Sequence, residues 1–278
     1  MIPFKKKLLN IIMIFWIASY PKSGNTWLRS LLTSYYYSED GLFNQKLLGK
    51  IGQFPEKKYF RSFKYNKKIV TETSKFWIEA QEQINLNNKL NFLKTHNILG
   101  SINNNNFTNK RNTVGAIYIV RDPRNVLTSL QNHYELSKDD ALKFMLSEKK
   151  YIHDYHEKNN YSDFQFISSW EKNYQSWINQ KIFPVKLIRY EDLNIKTLEI
   201  LREIIEFIQD ITQEKKEFNH TKAQNCVKST NFEKMKKMEK NNGFLESVLS
   251  KNDPKKIPFF HLGPKNEWKS MFDKNYQK

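Results

Sequence analysis

The sequence predicts an α/β protein: a single domain on a mostly parallel sheet flanked by helices on both faces. Three observations carry that prediction. Four short segments, Ile11–Ser19, Leu90–Lys94, Ala116–Val120 and Val185–Ile188, are apolar or β-branched in character, as strands covered on both faces are. Helical spacing alternates with them, over Trp27–Tyr37, Arg124–His133 and Asn194–Ile208. No Pro/Gly/Ser-rich linker divides the 278 residues, a length that suffices for one large core. Ligands of such sheets gather at the carboxyl ends of the strands.

The chain opens with Lys5-Lys6-Lys7 and the apolar run Leu8–Ala18, which imitates a signal peptide. No small-x-small site precedes the following turn, cleavage near Ala18 would remove the first strand, and the run is too short to span a bilayer. Residues 1–12 are read as a non-native or disordered extension, with Met13 as an alternative start. The expectation is a soluble cytoplasmic protein, and the single cysteine, Cys226, excludes an intrachain disulfide.

Tyr20-Pro21-Lys22-Ser23-Gly24-Asn25-Thr26-Trp27 joins the first strand to the first helix. Pro, Ser, Gly and Asn permit a tight turn there. The first N–H groups of a helix lack partners within it and its dipole favours negative charge, so the junction is an anion cradle. Lys22 adds a cation, and Ser23 and Thr26 add hydroxyls. The order differs from G-x-x-x-x-G-K-[ST], because Lys22 precedes Gly24 and no earlier Gly opens the loop. A plain Pro/Gly turn is the alternative reading.

Residues 41–74 are mixed in character and read as a mobile loop over the site. Asn91-Phe92-Leu93-Lys94-Thr95-His96 places Lys94 and His96 just past a strand end. Residues 101–113, with their Asn run, read as a surface loop. Next, Ile117 to Ser129 delivers Arg121 at a strand's carboxyl end, with Pro123 suited to the first helical turn and Ser129 about two turns on. A guanidinium binds two oxygens at once, so Arg121 with Ser129 suits a terminal phosphate; a surface Arg121–Asp122 pair and a solvated Ser129 are the alternative. Asp122 is expected to cap the following helix.

Residues 144–177, rich in aromatics and charges, are expected to form helices over one sheet face, with His153 and His156 solvated on one helical side. Leu187-Ile188-Arg189-Tyr190-Glu191-Asp192-Leu193 ends the last strand, and Asp192 or Asn194 is expected to cap the next helix. Ser229-Thr230-Asn231-Phe232 and Phe260 to Lys269, the latter containing Gly263, complete the segments of interest.

In this order these segments resemble the sulfotransferases that use 3′-phosphoadenosine 5′-phosphosulfate (PAPS), over Ile14 to Lys269. Residues 20–27 resemble that family's 5′-phosphosulfate loop, with Asn25 where many members have Thr. Arg121 and Ser129 stand at the matching positions of its 3′-phosphate motif. Residues 187–193 look like its Y-E-D-L strand end, whose Tyr contacts adenosine. Residues 229–235 are similar to T-S-F-x-x-M around the adenine; Thr230 and Phe232 match, and Asn231 replaces Ser. In the closing R-K-G-x-x-G-x-W-K loop, Gly263, Trp268 and Lys269 match. His261-Leu262 replace Arg-Lys and Asn266 replaces the second Gly, leaving Lys265 as the substitute cation. Lys94-Thr95-His96 matches K-[ST]-H of the cytosolic branch.

The resemblance implies a P-loop-type sheet, PAPS as sulfuryl donor and no metal. It makes His96 the general base, Lys22 the group that stabilises the leaving phosphate, and Lys94 an aid at the sulfuryl oxygens. Ser129 would hold Lys22 aside until cofactor and acceptor are present. The cofactor contacts implied are Lys22, Ser23, Gly24, Asn25, Thr26, Trp27, Arg121, Ser129, Tyr190, Thr230, Phe232 and Gly263. Glu72 is the weaker candidate base. The acceptor is a small molecule or glycan, and nothing in residues 41–74 or 144–177 specifies sugar, lipid, phenol or amine.

Two other function classes stay open at this level. A nucleotide kinase using ATP and magnesium is imitated by apolar residues followed by Asp122, but the Lys and Ser/Thr spacing it needs is absent. A basic protein binding nucleic acid or another polyanion is suggested by 46 basic against 29 acidic residues, a net charge of +17. About half of that excess is compositional, in a sequence where Lys greatly outnumbers Arg. No Arg-rich patch with interleaved aromatics stands out, so no nucleic-acid partner is expected.

Overall fold

The structure, a computed structural model, describes residues 13–154, 157–248, 250 and 257–271. The N-terminal extension and His156 lie outside the described residues. The elements in chain order are β1 (Ile14–Ser19), α1 (Asn25–Tyr37), β2 (Gly52–Gln53), α2 (Trp77–Asn85), β3 (Asn91–Thr95), β4 (Ser101–Ile102), β5 (Asn105–Asn106), β6 (Thr113–Val120), α3 (Pro123–Tyr134) and α4 (Lys138–Leu146). They continue with β7 (Tyr151–Ile152), β8 (Gln165–Phe166), α5 (Trp170–Ile178), β9 (Val185–Arg189), α6 (Tyr190–Ile195), α7 (Thr197–Thr212), α8 (His220–Ser229), α9 (Phe232–Asn242) and α10 (Trp268–Met271).

Five strands form one parallel sheet in the order β2-β3-β1-β6-β9. Every residue of β1 is buried, which explains its unbroken apolar run. Side chains alternate across the sheet. Phe15 and Ile17 therefore join Ile117 and Ile119 against α1, α7 and α8, while Trp16 and Ala18 join Ala116 and Tyr118 against α2 and α5. In α1, Leu28, Leu31, Leu32 and Tyr35 recur at helical spacing and are all buried. Leu201, Ile204, Ile205 and Ile208 do the same in α7.

β1 is central, and the chain crosses it between β3 and β6, making a topological switch point. The segments after β1, β3, β6 and β9 all emerge at the same end of the sheet. That places Lys22, His96, Arg121 and Tyr190 on one rim.

Several expectations change. Residues 41–74 are not a loose loop: they hold short 3-10 turns, bury Ile51, Phe54 and Phe60, and supply the edge strand β2. A two-residue strand has too little length to show a period. Residues 101–113 form the hairpin β4–β5 and then bury Phe107, Thr108 and Asn112, and β6 already starts at Thr113. Between α4 and α5 lies the hairpin β7–β8 rather than continuous helix. His153 follows β7 with its ring 4.7 Å from that of Tyr161, and lies on no helical face. Asp192 and Asn194 lie inside α6, and α7 begins after Lys196 with no side-chain cap. Asp122 does cap α3, accepting from the Arg124 N–H at 2.9 Å, with Pro123 in the first turn. Cys226 is a free, buried thiol.

Ile205, fully buried against the sheet, reports on this packing. Ile205→Ala is expected to cost about 2–5 kcal/mol, read as a lower midpoint in urea unfolding.

Candidate active site

The loop after β1 is tied by Ser23 N–H donating to Tyr20 O at 3.3 Å, and it turns through positive φ at Lys22 (66°) and Gly24 (99°). A Cβ on Gly24 would sit 2.5 Å from the Tyr190 ring, so glycine is what lets Tyr190 close against the loop. No side chain caps α1 and its first turn holds no acidic residue, which leaves its N-terminal N–H groups for an anion. Around this point lies a cavity of about 860 Å³. Lys22, Gly24, Asn25, Thr26, Trp27, Lys94, His96, Arg121, Ser129, Tyr190, Thr230, Phe232 and Gly263 all line it. Thus the residues singled out in distant parts of the sequence meet; Ser23 is buried within the loop itself.

The charges here are strongly perturbed. Lys22 Nζ lies 4.1 Å above the Phe259 ring. Burial pushes its ammonium down to about 7, with Glu246 opposing and Lys94 and Arg121 adding to the fall. Burial likewise lowers Lys94 and Arg121. The Arg121 guanidinium stacks 4.1 Å over Tyr190 and donates to Gly263 O at 3.1 Å. Gly263 has φ 54°, and a Cβ there would fall 2.1 Å from the Phe232 ring. Among the described residues, buried Ser23 Oγ, Trp27 Nε1 and Arg121 Nε have no hydrogen-bond partner. Three unsatisfied donors around a cationic cradle fit a multiply phosphorylated ligand.

His96 is held from several sides. Its Nδ1 is 2.8 Å from Ser19 O and 3.1 Å from Ser19 Oγ. A carbonyl only accepts, so Nδ1 carries the hydrogen and Nε2 keeps a bare lone pair. Its backbone N–H donates to Gln165 Oε1 at 2.8 Å, and its carbonyl accepts from Asn173. Burial first, then the nearby Lys94 charge, holds the imidazole neutral far below its ordinary range. Asn25 donates to Ile17 O and Ser19 Oγ, which ties the loop to the same serine.

Other expected residues have narrower roles. The Thr230 hydroxyl donates to Cys226 O, so it is committed to its own helix. Asn266 accepts from Thr128 Oγ1 at 2.6 Å and donates to Asn125 O, fastening the 259–268 segment to α3 over the cavity. Lys265 and His261 both line the cavity, and the His261 carbonyl accepts from Lys236. Glu72 pairs with Lys75 at 2.8 Å and does not line the cavity, which removes it as a base. Both Asp122 oxygens bond to Arg124, so Asp122 is engaged in structure.

Two residues escaped the sequence reading. Glu246 accepts from Thr26 Oγ1 at 2.5 Å and from Arg29 at 2.6 Å, while Arg29 also donates to Leu48 O and Ile51 O. Although burial opposes ionisation, Arg29 and then Lys94 hold this carboxyl well below the usual carboxylate range. An arginine inside a helix buried all round was the available signal, but its partner lies 217 residues away. His133, one turn beyond Ser129, also lines the cavity; burial, with Lys22 and Lys94, lowers it to about 3.

A parallel sheet whose central strand feeds a phosphate cradle at a helix N-terminus places the fold in the P-loop-like class. Residues 14–278 match the family model described as the sulfotransferase domain, and the chain belongs to that family. Among solved structures it is similar to mouse sulfotransferase SULT7A1 complexed with PAP, at 18% identity and TM-score 0.53, covering 96% of this chain and 81% of that one. It is also similar to retinol dehydratase in complex with androsterone and inactive cofactor PAP, at 16% identity and TM-score 0.54, covering 96% and 78%. A retinol dehydratase complex with retinol and PAP matches at 16% identity and TM-score 0.53, covering 95% and 77%. At these identities the likeness is one of fold.

The Arg29–Glu246 pair gives a stability test. Its side chains are 6% and 24% exposed, and Glu246→Ala strands the buried guanidinium at a cost of about 3 kcal/mol. Because the folded carboxyl is held below its unfolded value, the pair stabilises above about pH 4.3 and is lost as acid protonates it. Acid unfolding monitored by circular dichroism should therefore show a larger loss for the wild type than for Glu246→Ala.

Proposed function

We propose that this sulfotransferase moves the sulfuryl group of PAPS to a hydroxyl or amine acceptor, releasing adenosine 3′,5′-bisphosphate. One observation carries the reading: Lys22, on the loop after β1, and Arg121, after the neighbouring β6, line the same cavity as a neutral, oriented His96 that follows β3 on the other side of β1. Bound PAPS supplies an activated sulfuryl group whose leaving group is a phosphate. The loop from Lys22 to Trp27 would hold its 5′ end with backbone N–H groups, the Lys22 charge and the Ser23 hydroxyl, whereas the Thr26 hydroxyl is given to Glu246. Arg121 and Ser129 would hold the 3′-phosphate, with Lys265 as a further cation, and Gly263 lets the Phe232 ring approach beside the adenine. Tyr190 and Trp27, whose rings meet edge to face at 5.6 Å, would flank the nucleoside.

In the transfer, His96 Nε2 takes the proton from the acceptor oxygen or nitrogen as that atom bonds to sulfur. Lys22 neutralises charge on the departing phosphate, and Lys94 that on the sulfuryl oxygens. The chemistry assigned to these residues needs no metal. We also read the enzyme as cytoplasmic, in keeping with its single cysteine; among the described residues no helix is long and apolar enough to cross a membrane. The kinase alternative is disfavoured because Asp122 is already bound on both oxygens.

Adenosine 3′,5′-bisphosphate should raise the melting temperature without magnesium, whereas ATP with magnesium as the sole stabiliser would overturn the reading. Lys22→Ala should abolish turnover. His96→Ala should lower kcat by about 10²–10⁴-fold with nucleotide affinity near normal, and full activity in that variant would remove His96 as the base.

The pH dependence of binding follows from Lys22. Its ammonium is lowered to about 7 in the free protein, and a bound phosphate favours the charged form. Above that pH the free protein must take up a proton to bind. Calorimetry should thus show bisphosphate affinity falling between about pH 7 and 9, by up to about tenfold per unit, with net proton uptake.

A further inference from the structure

The strand order divides the cavity. The nucleotide residues come from the loop after β1 and from the β6–β9 side, including α3, α6, α8 and α9. The opposite side, built by β2, β3 and the hairpin β7–β8, contributes Gln53, Lys94, His96, Ile152 and Gln165. The hairpin is fastened there by Ile98 N–H donating to Phe166 O at 2.7 Å and by Phe166 N–H donating to Asn97. This second half surrounds the base, so it is where an acceptor must present its reacting atom.

Its wall is polar. Gln165 is 3% exposed, and its Oε1 is spent on the His96 N–H. That bond fixes the amide plane, and Nε2 has no partner among the described residues. Gln53 is the cross-strand neighbour of Lys94, and its amide makes only a long 3.5 Å contact with Pro55 O. Of the five residues, only Ile152 is aliphatic. With Lys94 given to the sulfuryl oxygens, a flat phenol or a sterol filling this half would strip water from the two amides and return no hydrogen bonds to them. Each such group left unpaired costs about 1–3 kcal/mol. Sites built to bond a substrate hydroxyl discriminate strongly against analogues that lack it.

We propose that the acceptor is polyhydroxylated, a sugar or related polyol, whose hydroxyls flanking the reacting one are bound by Gln165 Nε2 and the Gln53 amide. The inference rests on the sulfotransferase reading. The acceptor O–S bond forms as the bond from sulfur to the bridging oxygen breaks. The acceptor proton goes to His96 Nε2, and the electron pair leaves on the 5′-phosphate. Gln53 and Gln165 thereby set acceptor specificity, while His96 does the proton transfer.

The test compares methyl glycosides and disaccharides with 2-naphthol and a sterol, using PAPS as donor, alongside calorimetric binding of each acceptor to the protein saturated with adenosine 3′,5′-bisphosphate. The best glycoside should exceed 2-naphthol at least tenfold in kcat/KM. Gln53→Leu, which breaks only the long Pro55 contact, should cut that preference at least fivefold, mainly through the KM of the glycoside. Gln165→Leu also removes the acceptor of the His96 N–H, so it should lower turnover with both classes and raise the KM of the glycoside alone. A wild-type preference for 2-naphthol or the sterol overturns the inference, as does a parallel fall for both acceptor classes in Gln53→Leu. Binding of the bisphosphate with no glycoside bound or sulfated also overturns it and leaves the donor reading standing. Failure to bind the bisphosphate removes the donor reading itself.

Discussion

Positive charge concentrated at the carboxyl end of a parallel sheet is the constraint around which the site is organised. Lys22, Lys94, Arg29 and Arg121 converge there with the open N-terminus of α1. Charges of one sign at low dielectric raise each other's energy, and burial raises it further. Glu246 relieves part of this by lying between Thr26 and Arg29. The remainder appears as lowered lysine and histidine ionisation and as donors without acceptors. A multiply phosphorylated ligand removes both costs together, so affinity is built into the free protein as unsatisfied charge.

The same field acts on His96. His96 could be protonated only against burial and the neighbouring Lys94, and its Nδ1 hydrogen is held by Ser19. These conditions leave one tautomer with one free nitrogen. Asn25 then couples this arrangement to the loop, because one amide group spans Ile17 O and Ser19 Oγ. The cradle and His96 are thus fixed by the same strand end.

Roof and floor of the cavity have different origins. The floor is the sheet rim, set by backbone pairing. The roof is the 259–268 segment, fastened by Asn266 to α3 and by Arg124 stacked 3.6 Å over Trp268. Asn266 occupies a position where a second glycine was expected, and its side chain supplies the fastening that a glycine could not.

How much the sequence settled can be stated residue by residue. Apolar runs and helical spacing marked four of the five sheet strands and the α1, α3 and α7 helices, because burial on both faces leaves a local record. The Lys22–Trp27 loop and Arg121 were legible because turn chemistry and strand ends are local too, whereas Tyr190 and His96 were marked by the family resemblance. What the sequence withheld is non-local. The edge strand β2, the Glu246 carboxylate on Arg29, the orientation of His96 by Ser19 and the Gln53–Gln165 wall each join residues dozens to hundreds of positions apart. No short-range periodicity encodes such pairings; only the folded chain, by bringing distant backbone and charge within hydrogen-bonding distance, decides them.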